Sequence, residues 1–323
     1  MKKKILICDR FSFESQLYLE RQPNFEIIKA PHPQDLPIDK LATCHALLIR
    51  SKTLVTQDLF EKARNLQVIV SMTSGFDHID LRAAQKWGVT VMHTPWAHQE
   101  SAAQLTWSLV MALATQLSPA LQQVQQGEWR RDLLYGFELK NRTYGVVGLG
   151  RIGSRVAEIA QAFSMRVVAY DPYLDDQIFK EKKIERLGLE ELFHQADIIS
   201  CHVPKTQETK GLIHRHMLEN LPKPPVVINT SRGSIWDEAL LAEALEKKWL
   251  HSAAQDVFEI EPLPLESPLR TAPRLLLTPH VGSYTEEALE KASQMGAEKI
   301  VRFFESGMTS DTLPPKANWY QEI

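Results

Sequence analysis

The sequence is poor in cysteine and in long apolar runs, and neither sign of charge dominates it. Only Cys8, Cys44 and Cys201 occur in 323 residues, widely spaced and without a CxxC pair. A chain of this length can bury a large core, so a disulfide framework is not expected. No stretch approaches the roughly 18 consecutive apolar residues of a transmembrane helix. The net charge of -3 gives no sign of a nucleic-acid partner.

The first residues superficially resemble an export signal, because a lysine run precedes Ile5-Leu6-Ile7-Cys8. That apolar run ends at Asp9, well short of the roughly 7–15 residues that an export signal needs. It predicts a buried first strand instead. We therefore expect no membrane partner and a cytoplasmic location.

What is present is the composition of an ordinary globular protein, with 44% hydrophobic and 24% charged residues. The length exceeds the roughly 250–300 residues at which one hydrophobic core stops growing, so two domains are expected. Short β-branched runs alternate with helical stretches, which indicates parallel βαβ units. The candidate strands are Lys4–Cys8, Ala46–Ile49, Val68–Ser71, Val89–Met92, Thr143–Gly148, Arg166–Tyr170, Ile198–His202, Val226–Asn229, Ser252–Gln255 and Leu275–Leu277.

One predicted helix is too apolar for a one-sided surface helix. The segment Glu100–Gln116 is apolar at almost every second position and includes Trp107. This pattern predicts a helix buried on more than one side, between domains or subunits.

A glycine-rich motif provides the strongest functional signal. The strand from Thr143 runs directly into Gly148-Leu-Gly150-Arg-Ile-Gly153, which opens an amphipathic helix. Such glycines permit a tight turn, close approach of a pyrophosphate and close helix–strand packing, and the helix N-terminus favours the phosphates. A second strand ends at Asp171, where an acid would bind ribose hydroxyls and repel a 2′-phosphate, which favours NAD over NADP. The alternative is a plain glycine turn with a surface Asp.

Three polar residues follow later strand-like runs, at the edge where doubly wound sheets bind ligands. They are Arg232, Glu261 and His280. Adding hydride to a 2-keto acid requires a cation for the carboxylate and carbonyl, and an acid for the developing alkoxide. Arginine supplies fixed planar donors, and a carboxylate beside a histidine stabilises its protonated form. Singly, each could instead be a solvated or capping residue.

Taken in order, these motifs resemble the D-isomer-specific 2-hydroxyacid dehydrogenase family along nearly the whole chain. The resemblance rests on Gly148–Gly153 with Asp171, Cys201–Pro204, Asn229–Gly233, Asp256–Pro262 and Thr278–Ser283. It implies two Rossmann-like doubly wound parallel-sheet α/β domains with an active-site cleft between them. The implied substrate-binding domain comprises residues 1–97 plus 285–323, and the NAD-binding domain comprises 98–284. The family's usual assembly implies a homodimer, with Glu100–Gln116 at the interface.

The resemblance also implies a role for each site residue. Arg232 would bind the substrate carboxylate and carbonyl, His280 would be the acid/base, and Glu261 would keep His280 protonated. Backbone amides in Ser74-Gly75-Phe76-Asp77 would grip the substrate carboxylate. The implied NAD contacts are Gly148, Gly150, Arg151, Ile152, Gly153, Asp171, His202, Val203, Pro204, Thr206, Thr230, Ser231, Asp256 and Gly282. The implied substrate contacts are Arg50, Ser74, Gly75, Arg232 and His280.

The chain departs from its relatives at two positions. They commonly carry a Glu at the position of Gln104 and an Asn near His98. Both positions surround the expected hinge and cofactor cleft, so the departures bear on cofactor contacts there.

The first loop points to one branch of the family, that of D-3-phosphoglycerate dehydrogenase. In that branch an arginine can meet the substrate phosphate, and Arg50 and Lys52 could do so here, although a cation after a buried strand can equally face water. Glyoxylate, hydroxypyruvate and D-lactate-like substrates remain open. Because the chain ends at residue 323, we expect no appended regulatory domain and no serine-type feedback.

Two further expectations complete the sequence-based picture. A non-enzymatic NAD(H)-sensing protein of the corepressor type would keep the same fold and triad, and it is the main alternative to an enzyme. We expect no metal site, because no HExxH or Cys/His spacing stands out. His214-Arg215-His216 has HxH spacing, but we expect no acidic or cysteine ligand near it.

Overall fold

The computed structural model describes residues 2–30, 32–33 and 36–320. The chain divides into two compact units, one within Met1–His98 and Ser283–Tyr320, the other formed by Gln99–Gly282. Residues 1, 31, 34, 35 and 321–323 of the predicted substrate-binding domain lie outside the described residues. None of the described helices is long and apolar enough to cross a membrane.

The first unit begins with alternating strands and helices. These are β1 (Lys3–Ile7), α1 (Phe13–Glu20), β2 (Phe25–Lys29), α2 (Ile38–Leu41), β3 (Ala46–Ile49), α3 (Gln57–Lys62), β4 (Val68–Ser71), α4 (Leu81–Lys86) and β5 (Thr90–His93). Strands β3 and β4 are buried along their whole length, as strands covered on both faces must be.

The second unit holds the glycine-rich motif and the three polar residues. Its elements are α5 (Gln99–Ala114), α6 (Leu117–Gln125), β6 (Thr143–Val147), α7 (Arg151–Ala162), β7 (Arg166–Tyr170), α8 (Asp176–Lys182), β8 (Glu185–Arg186), α9 (Leu189–Gln195), β9 (Ile198–Cys201), α10 (His216–Glu219), β10 (Val226–Asn229), α11 (Glu238–Glu246), β11 (Ser252–Gln255) and β12 (Leu275–Leu277). Single 3-10 turns lie at Arg131–Leu133, Gly233–Ile235 and Pro268–Arg270.

The chain then returns to the first unit as α12 (Glu286–Ser306) and β13 (Thr312–Leu313). Thr285 caps α12 by accepting a hydrogen bond from the Ala288 amide, and Gly307 ends it in the left-handed conformation. Within this unit α12 packs against α1, so the two ends of the described chain share one core.

Each unit is built on one sheet, and the described strands of each sheet have a fixed order. In the first unit the order is β13-β5-β4-β3-β1-β2, and in the second it is β12-β11-β10-β9-β6-β7-β8. Every pairing is parallel except β13 with β5. Apolar clusters lie on both faces of each sheet. The predicted class of two doubly wound parallel sheets is confirmed, with one antiparallel edge strand added.

The predicted strands match the observed ones to within a residue at each end. Three observed strands were not predicted. Strand β2 is a half-exposed edge, while β8 and β13 have two residues each, so none carries a continuous buried run. The predicted helix Glu100–Gln116 is observed as Gln99–Ala114, because Gln116 adopts a left-handed conformation with φ 54.

Candidate active site

The reversal of strand order places a site at the carboxyl end of β6. The chain leaves β6 toward β7 and β8, and later returns to its other side through β9. The loops after β6 and β9 therefore diverge and leave a crevice, where doubly wound sheets bind dinucleotides.

The glycine-rich loop has the geometry that its sequence predicts. Gly148 has φ 92, a conformation that side chains rarely adopt. A Cβ on Gly153 would lie 2.0 Å from the Gly148 carbonyl oxygen, so helix α7 packs directly on the loop. A Cβ on Gly150 would meet no atom within 4 Å, so open space lies beside this residue, which is the N-cap of α7. Because the N-cap residue is a glycine, it has no side chain to accept a hydrogen bond from the first amides of α7, and the loop fits a pyrophosphate.

Asp171 follows β7 and reaches the same loop. Its Oδ2 accepts the Leu149 amide at 3.0 Å, and its Oδ1 accepts the Tyr173 amide at 3.1 Å. The carboxylate is thus fixed beside the glycine-rich turn, the position expected of a ribose-binding acid.

Arg232 lies in a loop that is held by its own hydrogen bonds. The buried Asn229 accepts hydrogen bonds from the amide and hydroxyl of Ser231, and its Nδ2 donates to the Arg232 carbonyl at 2.8 Å. Gly233 packs against the next loop so closely that a Cβ would lie 2.0 Å from the Phe258 carbonyl carbon. This contact places the backbone beside Arg232 against the segment that leads to Glu261, and Nη1 of Arg232 donates to the Ser231 carbonyl at 2.6 Å.

Glu261 and His280 form a direct pair. Oε2 of Glu261 lies 2.7 Å from Nδ1 of His280, while Oε1 accepts the Phe258 amide at 3.0 Å. Burial raises the pKa of Glu261, but the hydrogen bond and charge of His280, the Phe258 amide and the charge of Arg232 together lower it below its usual value. The structure therefore pairs the Glu261 carboxylate with the His280 ring, and the positive charge of Arg232 acts on the same carboxylate.

Asp256 fixes the loop that carries His280, a role that the sequence reasoning missed. The buried carboxylate accepts the Thr278 hydroxyl at 2.6 Å, the Val281 amide at 2.9 Å and the Gly282 amide at 2.9 Å. His280 itself has φ 53, an uncommon conformation for a histidine. Asp256 and Glu261 both lie in the segment after β11. No pattern in the sequence around Asp256 indicates which loop its carboxylate binds.

Three further expected cofactor residues, His202, Val203 and Thr230, follow β9 and β10 in the second unit. Val203 and His202 abut Gly148, where an added Cβ would lie 2.8 Å from Val203 Cγ1. His202 Nε2 lies 2.8 Å from the Ser200 hydroxyl, and burial lowers the pKa of His202 to about 3, so its ring is neutral. Thr230 shares a hydrogen bond of 2.8 Å with Thr106 of α5.

The expected substrate residues Arg50, Ser74 and Gly75 belong to the first unit, where they follow β3 and β4. Thr73 donates to the Gly75 carbonyl at 2.6 Å, and His93 Nδ1 lies 3.0 Å from the Ser74 carbonyl, so the loop's carbonyls are engaged. Among the described residues, the Ser74 and Gly75 amides donate to no protein acceptor. Such amides suit an anion.

His98, one of the two departures, lies beside this loop. It is buried, and its Nδ1 is 3.4 Å from the Ser74 hydroxyl. Burial, followed by the charges of Arg50 and Lys291, lowers the pKa of His98 to about 4. His98 is therefore neutral near pH 7. Gln104, the other departure, is exposed on α5.

One expectation about the histidines was wrong. An acid does lie near His214-Arg215-His216, because α9 and α10 are neighbours and Glu190 Oε1 is 3.3 Å from His216 Nε2. Within the described ranges, no group of three or more metal-ligating side chains has the arrangement of a metal site.

Comparison with known proteins relates the second unit to one family. Residues 107–282 match the family model described as the NAD-binding domain of D-isomer-specific 2-hydroxyacid dehydrogenases. The match covers the glycine-rich loop and all three polar residues.

Individual relatives extend the likeness to both units. The chain is 36% identical to D-3-phosphoglycerate dehydrogenase of Methanocaldococcus jannaschii over 96% of this chain and 59% of that protein. It is 37% identical to glyoxylate reductase of Aeropyrum pernix over 84% of each. The structure of D-lactate dehydrogenase from Aquifex aeolicus with NAD and lactic acid superposes with a TM-score of 0.82, at 28% identity over 94% of this chain and 96% of that one. The chain thus spans about three fifths of the phosphoglycerate dehydrogenase it matches.

Proposed function

Because the chain belongs to the family of D-isomer-specific 2-hydroxyacid dehydrogenases, we propose that it interconverts a small D-2-hydroxy acid and its 2-keto acid by hydride transfer with NAD. The observation that carries the proposal is the 2.7 Å contact between Glu261 and His280, beside Arg232, on the sheet that bears the glycine-rich loop. An acid/base pair, a cation and a dinucleotide fingerprint on one edge are what this reaction requires.

The residues of the second unit have distinct tasks in this proposal. NADH, when bound, supplies the hydride. Arg232 draws the substrate carboxylate and carbonyl oxygen toward its fixed donors and stabilises the charge that develops on that oxygen. His280 donates a proton to the oxygen in reduction and accepts it in oxidation. Glu261 holds Nδ1 of His280, which orients the ring and keeps Nε2 available for the proton transfer.

Asp171 supports the preference for NAD. Its carboxylate lies at the glycine-rich turn, where it accepts the Leu149 and Tyr173 amides. A ribose 2′-hydroxyl can donate to such an acid, whereas a 2′-phosphate would meet a like charge.

Arg50 supports the proposal that the substrate carries a second acidic group, as 3-phosphoglycerate and phosphohydroxypyruvate do. Its guanidinium lies 6.0 Å from the Tyr284 ring centroid, and the charge of Asp9 acts on it. Burial lowers the pKa of Arg50, but arginine remains charged at neutral pH. The Ser74 and Gly75 amides would bind the common 2-carboxylate. Glyoxylate and hydroxypyruvate, which lack the phosphate, are the alternative substrates.

A homodimer would cover the exposed apolar surface of α6 and of the segment after it. Helix α6 has no buried residue, and Leu121, Val124 and Trp129 are exposed. Residues 101–127 contain no charged side chain, and charge depletion is typical of the core of an interface. A second copy of the chain in the cytoplasm is the partner we propose for this surface.

A substrate panel tests the proposed function. Phosphohydroxypyruvate, hydroxypyruvate, glyoxylate and pyruvate are each combined with NADH and with NADPH, and nicotinamide oxidation is followed. We expect turnover of at least one acid with NADH and weaker turnover with NADPH. Tight NADH binding without turnover of any acid would contradict the enzyme and support the NAD(H)-sensing alternative.

A further inference from the structure

Two loops meet across the glycine-rich motif. Strands β7 and β9 lie on either side of β6, so the loops at their carboxyl ends flank the loop after β6. Tyr173 follows β7, and Glu208 follows β9. The Tyr173 phenol donates a hydrogen bond to Oε2 of Glu208, so a side-chain contact joins the two loops.

The same tyrosine also holds the acid at the ribose position. Its backbone amide donates to Asp171 at 3.1 Å, and Asp171 accepts the Leu149 amide at 3.0 Å. The hydrogen bond to Glu208, followed by burial, raises the pKa of Tyr173 to about 12. Burial, the charge of Asp171 and the charge of Glu208, in that order, raise the pKa of Tyr170. Both carboxylates therefore act on the same tyrosine.

Glu208 is carried by an internally bonded turn. The Thr206 amide donates to the Thr209 hydroxyl at 2.8 Å, and the Thr209 amide donates to the Thr206 hydroxyl at 3.1 Å. The Thr209 hydroxyl also donates to the Pro204 carbonyl at 2.6 Å. The backbone around Glu208 is therefore fixed, which directs its carboxylate toward Tyr173.

We propose that Glu208 is a second selectivity carboxylate, which acts with Asp171 to exclude a dinucleotide that carries a 2′-phosphate. Tyr173 is the positioning residue, since its amide binds one carboxylate and its phenol binds the other. A 2′-phosphate brought to this crevice would face two like charges, whereas a 2′-hydroxyl would face two acceptors. This inference rests on the proposed NAD-dependent function and extends its cofactor specificity to the loop after β9.

The test measures the dissociation constants of NADH and NADPH by fluorescence titration, without substrate. In Glu208→Gln we expect NADPH to bind about three- to tenfold more tightly while NADH binding changes little, the effect of removing one partly screened like charge. The gain should shrink at high salt, because exposed charges are screened. Tyr173→Phe should give a smaller gain, and Glu208→Asp, which keeps the charge, should stay close to the wild type.

Glu181→Gln is the matched control, because it removes one exposed carboxylate from α8, where Glu181 accepts a hydrogen bond from Gln177 of the same helix. It should leave both constants unchanged. An unchanged NADPH/NADH ratio in Glu208→Gln, or an equal change in both constants, overturns the inference while the proposed function stands. Absence of NADH binding to the wild type overturns both.

Discussion

His280 and Glu261 show how single residues are prepared for proton transfer. His280 adopts a left-handed backbone conformation, and its loop is held by three hydrogen bonds to Asp256. Uncommon backbone conformations persist where surrounding contacts fix them, and they concentrate at functional sites. Two carboxylates thus act on one loop: Asp256 positions its backbone, and Glu261 holds its imidazole.

Replacing His280 tests its role as acid/base. In His280→Gln the amide can still accept or donate a hydrogen bond but cannot transfer a proton at neutral pH. We expect kcat/KM for keto-acid reduction to fall by roughly 10²–10⁴-fold, the usual contribution of a general acid. NADH binding, measured by fluorescence, should survive. Near-normal turnover would remove His280 from the mechanism.

The buried His98 makes the free energy of unfolding depend on pH in the acid range. Its pKa is about 4 in the folded protein, below the ordinary 6.5, so the unfolded chain takes up the proton first. Stability is therefore complete above pH 6.5 and is lost as the pH falls toward 4, by up to about 3 kcal/mol at 1.36 kcal/mol per pH unit.

In His98→Asn the fall in stability between pH 7 and pH 5 should be smaller than in the wild type, as measured by urea unfolding. It should not vanish, because His202, with a pKa of about 3, loses stability with acid in the same way. Parallel pH profiles of stability for the two proteins would contradict this role of His98.

Among the elements, the site depends on a contact between the loops that follow β10 and β11. Gly233 starts the turn after β10 and lies against the loop after β11, where a Cβ would meet the Phe258 carbonyl carbon at 2.0 Å. The carboxyl ends of the two parallel strands lie side by side, since β10 pairs with β11. This contact holds the backbone beside Arg232 against the loop that leads to Glu261.

Gly233→Ala should push these loops apart. Because the added methyl group collides with backbone, we expect a loss of about 1–3 kcal/mol in the free energy of unfolding, together with a lower kcat for keto-acid reduction. Gly188→Ala is the control, since a Cβ there meets no atom within 4 Å. Equal unfolding midpoints and kcat values in both variants would show that the contact is unimportant.

The strands also show which parts of the fold can be predicted from the sequence. Buried parallel strands are continuous apolar runs, so β3, β4 and β10 were predicted from residue pattern alone. The edge strand β2 and the two-residue strands depend on neighbours that the sequence does not reveal. Arg232, Glu261 and His280 were identifiable because each follows a strand.

Other parts of the site depend on tertiary contacts and could not be predicted. Asp256 and Asn229 bind loop amides that only the fold brings near, and Glu208 meets Tyr173 through two separate loops. Such pairings have no periodicity or spacing along the chain.

At the scale of the whole molecule, the proposed homodimer accounts for an amphipathic helix without a buried face. Leu121 and Val124 are 54% and 61% exposed on α6. In Leu121→Glu/Val124→Glu we expect a shift from dimer to monomer in analytical ultracentrifugation, because buried charges disfavour an interface core. Leu54→Glu, at a residue 66% exposed in the first unit, is the control and should remain dimeric. A monomeric wild type would contradict the dimer.

The proposed reaction is the transfer of a hydride to the carbonyl carbon of a small 2-keto acid. The most direct measurement uses NADH deuterated at the transferable C4 position, with mass spectrometry of the acid formed. We expect the wild type to form a D-2-hydroxy acid with deuterium at C2, and we expect His280→Gln to form much less of it. Product without deuterium, or no product from any acid in the panel, would contradict the proposed reaction.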